Sequence, residues 1–206
     1  MPIVNGYCTL AELRTWMSDT TSILPAAALE DAINATSRMI DNFCSRKFWR
    51  DPVAKTRRYK VTESDVAWVD DIADASTVII KTDDLGDNSF SHQWSNTDWE
   101  LGPYNSDVDD TMPYSFYRVH AVGNSSFPVN SFRRTLEVTA EFGWSAIPDG
   151  VKQACIMKSN MVVLRKDSPY GIAGFSEFGV VRISRTEDPE ITRLLAPFIR
   201  TDVKAV

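Results

Sequence analysis

The spacing of apolar residues changes twice along this chain of 206 residues, and these two changes constrain its fold most. From about Pro25 to about Arg46, apolar residues recur every three to four positions, which predicts a long amphipathic helix. From Lys55 to Trp144 the chain has short runs of β-branched and aromatic residues separated by Asp, Asn, Gly and Pro, which predicts strands. Helical spacing returns at Pro148. We therefore predict an α+β fold, a bundle of about four helices interrupted by an antiparallel β-rich insertion.

The local helix signals agree with this division. Thr9 and Glu12 have the spacing of a capping box at the start of a first helix. Asp188-Pro189 suit the cap and first turn of a last helix. The helix that begins at Pro148 is expected to stop before Ser168-Pro169.

The β-rich region is predicted to contain six strands. They lie near Arg57–Thr62, Ser76–Thr82, Phe90–Trp94, Trp99–Leu101, Phe116–Val122 and Leu136–Phe142. The polar segment Asp83–Asn88 is predicted to be a hairpin loop between two of them. After the third helix, Tyr170–Gly179 is expected to be a loop, followed by a short strand over Val180–Ser184.

Charge is distributed unevenly between the same segments. Residues 1–60 carry nine Lys/Arg against six Asp/Glu, residues 61–149 carry four against sixteen, and residues 150–206 carry nine against six. The net charge of -6 thus combines +3, -12 and +3. Periodicity and charge together predict a helical scaffold from 1–54 and 147–206, with a β-rich insertion module at 55–146. The second scaffold part is expected to include a C-terminal partner-binding segment.

The basic residues around the exit of the long helix allow two interpretations. The cluster consists of Arg46, Lys47, Arg50, Lys55, Arg57 and Arg58. Its cations favour the negative end of the helix, but they could also meet an acidic partner or nucleic-acid phosphates. A duplex-binding domain normally has a larger positive balance and an element that reads a groove, which argues against sequence-specific DNA binding.

The cysteines do not indicate a disulfide framework or a zinc site. Cys8, Cys44 and Cys155 are odd in number, distant in sequence and without metal-ligand spacing. The N-terminal residues lack the pattern of a signal peptide, and no apolar run is long enough for a membrane span. We expect synthesis and folding in the cytosol, with no membrane association.

Candidate catalytic or metal-binding groups are few. The Asp83–Asn88 segment lacks the glycine position and closing glutamate of a calcium loop, and Asp107, Asp109 and Asp110 suit a solvated loop. His92 and His120 fall in predicted strands without the partners of a catalytic triad. We predict no enzyme activity, no metal and no cofactor.

One alternative function comes from a different class. Trp94 and Trp99, with the carboxylates of Asp98 and Glu100, could form a carbohydrate-binding or carbohydrate-active patch, because such sites combine aromatic platforms with acids.

The aromatic residues after the third helix suggest a contact. Tyr170, Phe175 and Phe178 lie in a glycine-bearing, largely uncharged segment, and exposing them to water is unfavourable. They would pack either within the chain or on a neighbouring subunit, and we predict the inter-subunit contact.

Several segments, taken in order, resemble the head-to-tail connector, or adaptor, proteins of tailed bacteriophages. They are Tyr7–Leu13, Ala35–Asp41, Phe43–Phe48, Val151–Ala154, Ser168–Gly171, Gly174–Gly179 and Leu194–Phe198. The resemblance covers roughly residues 7–50 and 147–200 and is weak in the β-rich region. Members of that family have a helical bundle with a variable β insertion.

The resemblance implies a structural virion protein in the neck at the capsid vertex. Such a protein forms a ring, typically of twelve subunits, under the portal protein and extends the DNA conduit. Genomic DNA passes through the lumen without sequence-specific binding, and the next neck or tail-completion protein docks on the ring. Another neck or tail structural protein with a similar scaffold is a further possibility.

The last strand and helix are predicted to make the portal-facing contact. The residues are Arg182, Arg185, Leu194, Leu195, Phe198 and Arg200. The prediction depends on the resemblance and on an apolar stripe that alternates with cations in this segment.

Overall fold

The computed structural model describes residues 2–19, 23–108, 112–130, 132–166, 172–176, 179–182 and 188–200. Within these ranges the chain has an α+β fold with four α-helices, as predicted. The helices are α1 (Leu10–Trp16), α2 (Ala26–Cys44), α3 (Asp149–Lys166) and α4 (Pro189–Leu195). The strands are β1 (Lys55–Tyr59), β2 (Val66–Ile72), β3 (Ile79–Thr82), β4 (His92–Gln93), β5 (Trp99–Gly102), β6 (Phe116–Ala121), β7 (Leu136–Ala140), β8 (Ile172–Ser176) and β9 (Gly179–Arg182).

The chain divides into two compact units. The helical unit combines Met1–Arg46 with Ile147–Thr201, so it is built from two separate stretches of sequence. Among the described residues, the β unit takes the stretch from Lys47 to Ala146 between them. The assignment of these parts as scaffold and insertion module stays a prediction.

The helix ends follow the signals seen in the sequence. The Glu12 amide donates to the Thr9 hydroxyl at 3.2 Å, and the Thr9 amide donates to the Glu12 carboxylate at 2.7 Å, so the capping box is confirmed. The Asp188 carboxylate caps α4 by accepting the Glu190 amide at 2.9 Å. The long helix ends at Cys44 and is capped by Ser45, which has the left-handed φ of 52° that terminates many helices.

Apolar faces of the four helices form the core of the helical unit. Buried side chains include Leu13 of α1, Ile33 and Ile40 of α2, Val151 of α3 and Ile191 of α4. No helix in the described part of the chain has the length and apolarity needed to cross a bilayer.

The described residues of the β unit form two antiparallel sheets. One has the strand order β1-β7-β3-β4 and the other has β2-β6-β5. The predicted hairpin at Asp83–Asn88 is confirmed, because β3 and β4 pair with Lys81 opposite Gln93 and Thr82 opposite His92. The core of this unit includes Ile80, Val119, Leu136, Val138 and Phe142.

Strand β2 was not predicted from the sequence. Ala67, Val69 and Asp71 are buried along one face of Val66–Ile72, which is the alternation of a half-buried strand. The acidic pair Asp70-Asp71 conceals this pattern in the sequence. Buried Asp71 is accommodated because its carboxylate accepts the Ser115 hydroxyl at 3.0 Å.

The predicted loop over Tyr170–Gly179 is wrong for residues 172–176. These residues form β8, which pairs antiparallel with β9, and Phe175 lies opposite Val180. The register shifts between Ile172 and Phe175, so Gly174 lies at an irregularity where glycine is often found in strands. Tyr170 and Phe178 lie outside the described residues, as do Ile183 and Ser184 of the predicted following strand.

Candidate interaction surfaces

Helix α4 packs against the rest of the helical unit with one face, and side chains outside that face are only partly buried. Leu195 is only 3% exposed, whereas Leu194 and Phe198 are half-buried. Both of the latter lie beside Gly150 at the start of α3, where a Cβ added to this glycine would meet the Leu194 carbonyl and the Phe198 ring, each at 3.2 Å. Leu195 therefore packs α4 onto the helical unit, while Leu194 and Phe198 lie nearer the surface.

The segment after α4 returns to the end of α2. The Arg200 amide donates to the Cys44 carbonyl at 3.0 Å, so this contact satisfies one of the last carbonyls of α2. Arg182 is the last residue of β9, and Arg185 lies outside the described residues. The structure thus brings Leu194, Phe198 and Arg200 into one region of the helical unit, and their role in binding stays a prediction.

The strands β8 and β9 form a hairpin, and Phe175 is one residue from the end of its strand. An isolated two-stranded hairpin is marginally stable in water and normally gains stability from a third strand or a packed surface. This makes the hairpin a candidate for contact with another protein surface.

Several basic residues of the β unit are paired within that unit. Arg57 contacts Asp70 at 2.7 Å and the buried Asp51 at 3.1 Å, and Arg58 contacts Glu137 at 2.9 Å. The guanidinium of Arg50 bonds both Asp74 and Glu141, and the hydrogen bond to Glu141 raises the pKa of Arg50. These cations stabilise the fold of the β unit. Because they are paired with carboxylates, the cluster has less positive charge with which to bind phosphates.

The proposed carbohydrate patch is not formed. Trp94 is buried, its ring stacks on Phe127 at 4.6 Å, and its indole N–H donates to the Thr82 hydroxyl at 3.0 Å. Trp99 packs against the core, and the Asp98 carboxylate accepts the Ser95 amide within a turn. Trp94 therefore presents no open ring face of the kind that binds sugars, and Trp99 is partly buried against the core of the β unit.

The acidic hairpin loop has a structural role. The buried Asp83 carboxylate accepts the amides of Gly86, Asp87 and Asn88 at 2.8, 3.2 and 2.9 Å. Across the described ranges, no three acidic, histidine or cysteine side chains are grouped as a metal site would require.

The two histidines lie in strands, as predicted. His92 of β4 places its Nδ1 atom 2.6 Å from the Asp84 carboxylate. His120 of β6 stacks on Tyr104 with ring centroids 5.0 Å apart. Asp109 and Asp110 of the second acidic cluster lie outside the described residues.

Folding also brings together two cysteines that the sequence places 147 positions apart. The sulfur atoms of Cys8 and Cys155 are 3.4 Å apart, and the hydroxyl of Ser37 lies 3.6 Å from Cys155 Sγ. In the sequence, Cys8 lies just before the predicted first helix and Cys155 lies on the apolar face of the third, and such positions do not show which residues face each other.

Comparison with known proteins gives structural matches alone. No family model and no curated protein matches the sequence. A chain of a structure described as the neck of an empty gene transfer agent (GTA) particle, computed with C6 symmetry, has a TM-score of 0.54 and 16% identity. The match covers 96% of this chain and 92% of that one.

Two further solved structures give similar values. A chain from the neck of the native GTA particle, computed with C12 symmetry, has a TM-score of 0.50 and 17% identity over 92% of this chain and 86% of that one. A chain from the virion of the native particle has a TM-score of 0.53 and 18% identity over 96% and 92%. This chain shares their fold.

Proposed function

We propose that this chain is a structural, non-enzymatic subunit of the neck of a phage-like particle. The observation that supports the proposal is the match to a neck structure over 96% of the chain. A fold alone does not determine function. This match, however, spans a helical unit made from two stretches and the β unit between them, a combination more distinctive than either part.

The more specific proposal is a head-to-tail connector, or adaptor, in the virion. Copies of the chain would form a ring under the portal, extend the DNA conduit and dock the next neck or tail-completion protein. The neighbouring structures were computed with C6 and C12 symmetry, which is compatible with a ring of twelve copies. In such a ring each subunit uses two different patches, one toward each neighbour.

The hairpin β8–β9 is the proposed contact with the adjacent subunit. Within the described residues it is a sheet of two strands, and an exposed strand edge can pair with another chain. Tyr170, Phe175 and Phe178 would supply apolar contact area around the hairpin. A neighbouring subunit would therefore both bury these rings and complete the small sheet.

The proposed portal contact uses the segment around α4. Leu194, Phe198 and Arg200 would contact the portal directly, with Arg182 and Arg185 adding positive charge. Leu195 would hold α4 in place through its buried side chain.

The charge of the β unit agrees with passage of DNA without binding. The stretch Lys47–Ala146 carries sixteen acidic residues against ten basic ones, and this excess repels phosphates. The ion pairs of Arg50, Arg57 and Arg58 further reduce the free positive charge of the unit.

Native mass spectrometry with and without portal rings from the same particle tests this function. We expect complexes in which a closed ring of this chain is bound to the portal, and labelling with antibodies against the chain should mark the neck of intact particles. A chain that binds no portal and is absent from the particle would contradict the proposal.

Variants of the hairpin test the contact between subunits. The double variant Phe175→Ser, Phe178→Ser should weaken ring assembly while the circular dichroism of the free chain is retained. The matched variant Phe175→Leu, Phe178→Leu keeps apolar side chains and should assemble. Equal assembly by both variants would exclude the hairpin as the subunit contact.

A further inference from the structure

The helical unit contains a pair of buried thiols that its proposed function does not use. Cys8, just before α1, is 5% exposed, and Cys155, on α3, has no exposed surface. Their sulfur atoms are 3.4 Å apart, and both cysteines are free. A disulfide has a sulfur–sulfur distance of about 2.05 Å, so a bond would require an approach of about 1.4 Å.

The hydrogen bonds around the pair indicate which of the two cysteines ionises first. The Cys8 thiol donates to Cys155 Sγ, and the Ser37 hydroxyl donates to the Ile33 carbonyl at 2.8 Å. The Ser159 hydroxyl lies 3.9 Å from Cys155 Sγ. Cys155 Sγ thus accepts the Cys8 thiol hydrogen, which stabilises negative charge on the Cys155 sulfur.

The pKa shifts of the two cysteines indicate the same order of ionisation. The hydrogen bond from Cys8 lowers the pKa of Cys155 to about 7, and the same bond, with burial, raises the pKa of Cys8. Cys155 therefore ionises first. Cys44 offers a contrast within the unit, because burial raises its pKa to about 12.

We propose that Cys8 and Cys155 are an oxidation site at which a hydroperoxide forms an intramolecular disulfide. Because Cys155 is buried, the reaction requires a local opening of the helical unit that admits the peroxide. The Cys155 thiolate then attacks one peroxide oxygen, the O–O bond breaks, and the departing hydroxide takes up a proton to give water. Cys155 is then a sulfenic acid. The Cys8 sulfur attacks it, the S–S bond forms, the S–O bond breaks, and the hydroxide leaves with the Cys8 thiol proton as a second water. The two sulfurs supply the two electrons that reduce one hydrogen peroxide.

The bond would connect the two stretches of sequence that build the helical unit. Cys8 belongs to the first stretch and Cys155 to the second, and the residues between them include the whole β unit. Oxidation would close a loop of this length and restrict the unfolded chain, so the oxidised protein should resist unfolding more than the reduced one.

The test is peptide mapping of the intact full-length chain after treatment with dilute hydrogen peroxide. Trypsin should release Cys8 within residues 1–14, Cys155 within residues 153–158 and Cys44 within residues 39–46. We expect loss of two of the three thiols, a cross-linked species that joins the first two peptides, and recovery of all three thiols with dithiothreitol.

Variants provide the controls. Cys44→Ser should form the same cross-link, whereas Cys8→Ser should form none and should leave Cys155 as a sulfenic or higher acid. The wild-type map is decisive even where a variant folds poorly. A native chain that keeps its three thiols, pairs Cys44, or forms only intermolecular disulfides would overturn the proposal.

Discussion

At the scale of single residues, Gly143 shows how closely the backbone of the β unit is packed. Its φ is +119°, and a Cβ at this position would lie too close to the Trp49 carbonyl oxygen and to Arg50 Cα. Trp49 and Arg50 immediately precede Asp51, which donates its amide to the Phe142 carbonyl at 2.7 Å. The two segments can lie this close together only because residue 143 has no side chain.

We predict that Gly143→Ala lowers the free energy of unfolding by about 3 kcal/mol, because it adds both a backbone clash and an unfavourable φ. Gly86→Ala is the matched control, since Gly86 also has a positive φ, +71°, but a Cβ added there would have no atom within 4 Å. That control should cost about 1 kcal/mol. Urea denaturation measures the free energy of unfolding of both variants. Equal losses would show that the close approach to Trp49 does not contribute to the cost of Gly143→Ala.

Residue-scale chemistry also explains why the cysteine pair could not be predicted. The sequence shows a cysteine at the staple position before α1 and another on the apolar face of α3. Their contact depends on the rotation and packing of helices that are distant in sequence. The local spacing of residues carries no information about either. Asp71 illustrates the same limit, because its burial depends on a hydroxyl donor, Ser115, from another part of the chain.

At the scale of elements, two neighbouring residues of α4 differ in role: one packs in the core, and the other is proposed to bind the portal. Leu195 is buried, whereas Leu194 is half-buried. Leu195→Ala should therefore lower the free energy of unfolding by about 3 kcal/mol, the usual cost of a cavity in a core.

Leu194→Ala should cost less than about 1 kcal/mol in stability but weaken binding to purified portal rings roughly tenfold. Thermal unfolding and surface plasmon resonance distinguish the two effects. Portal affinity unchanged by Leu194→Ala would remove this residue from the proposed contact. These point variants are more informative than deletion of residues 186–206, because the deletion would also remove the buried Ile191 and Leu195.

Elements with strong local signals were predicted well. The four helices had regular apolar spacing, and α1 and α4 had recognisable caps. Most strands of the β unit were found because β-branched residues were bounded by turn residues. Strand β2 was missed because Asp70-Asp71 resembles a turn, and β8 was missed because its glycine and short length resemble a loop. In both cases pairing with another strand outweighed local propensity.

At the scale of the whole molecule, the helical unit is completed by residues from both sides of the β unit. The end of α2 at Cys44 and the start of α3 at Gly150 both contact the segment Phe198–Arg200. The two points where the β unit joins the helical unit are therefore close to one short segment.

We predict that replacing Lys47–Ala146 by a short Gly/Ser linker leaves a folded helical unit. The linker can be short because its two ends lie beside the same segment. Far-ultraviolet circular dichroism should show a helical spectrum, and thermal unfolding should be cooperative. Loss of cooperativity would mean that the helical unit requires the β unit for its own stability.

The division of the helical unit between two stretches of sequence also sets the order in which the chain can fold during translation. The β unit is continuous and can fold once residue 146 has left the ribosome. The helical unit is incomplete until α3, α4 and the residues near 200 have been made, which takes several seconds more at about 5–20 residues per second. Its completed surface around α4 therefore forms later in synthesis than the β unit does.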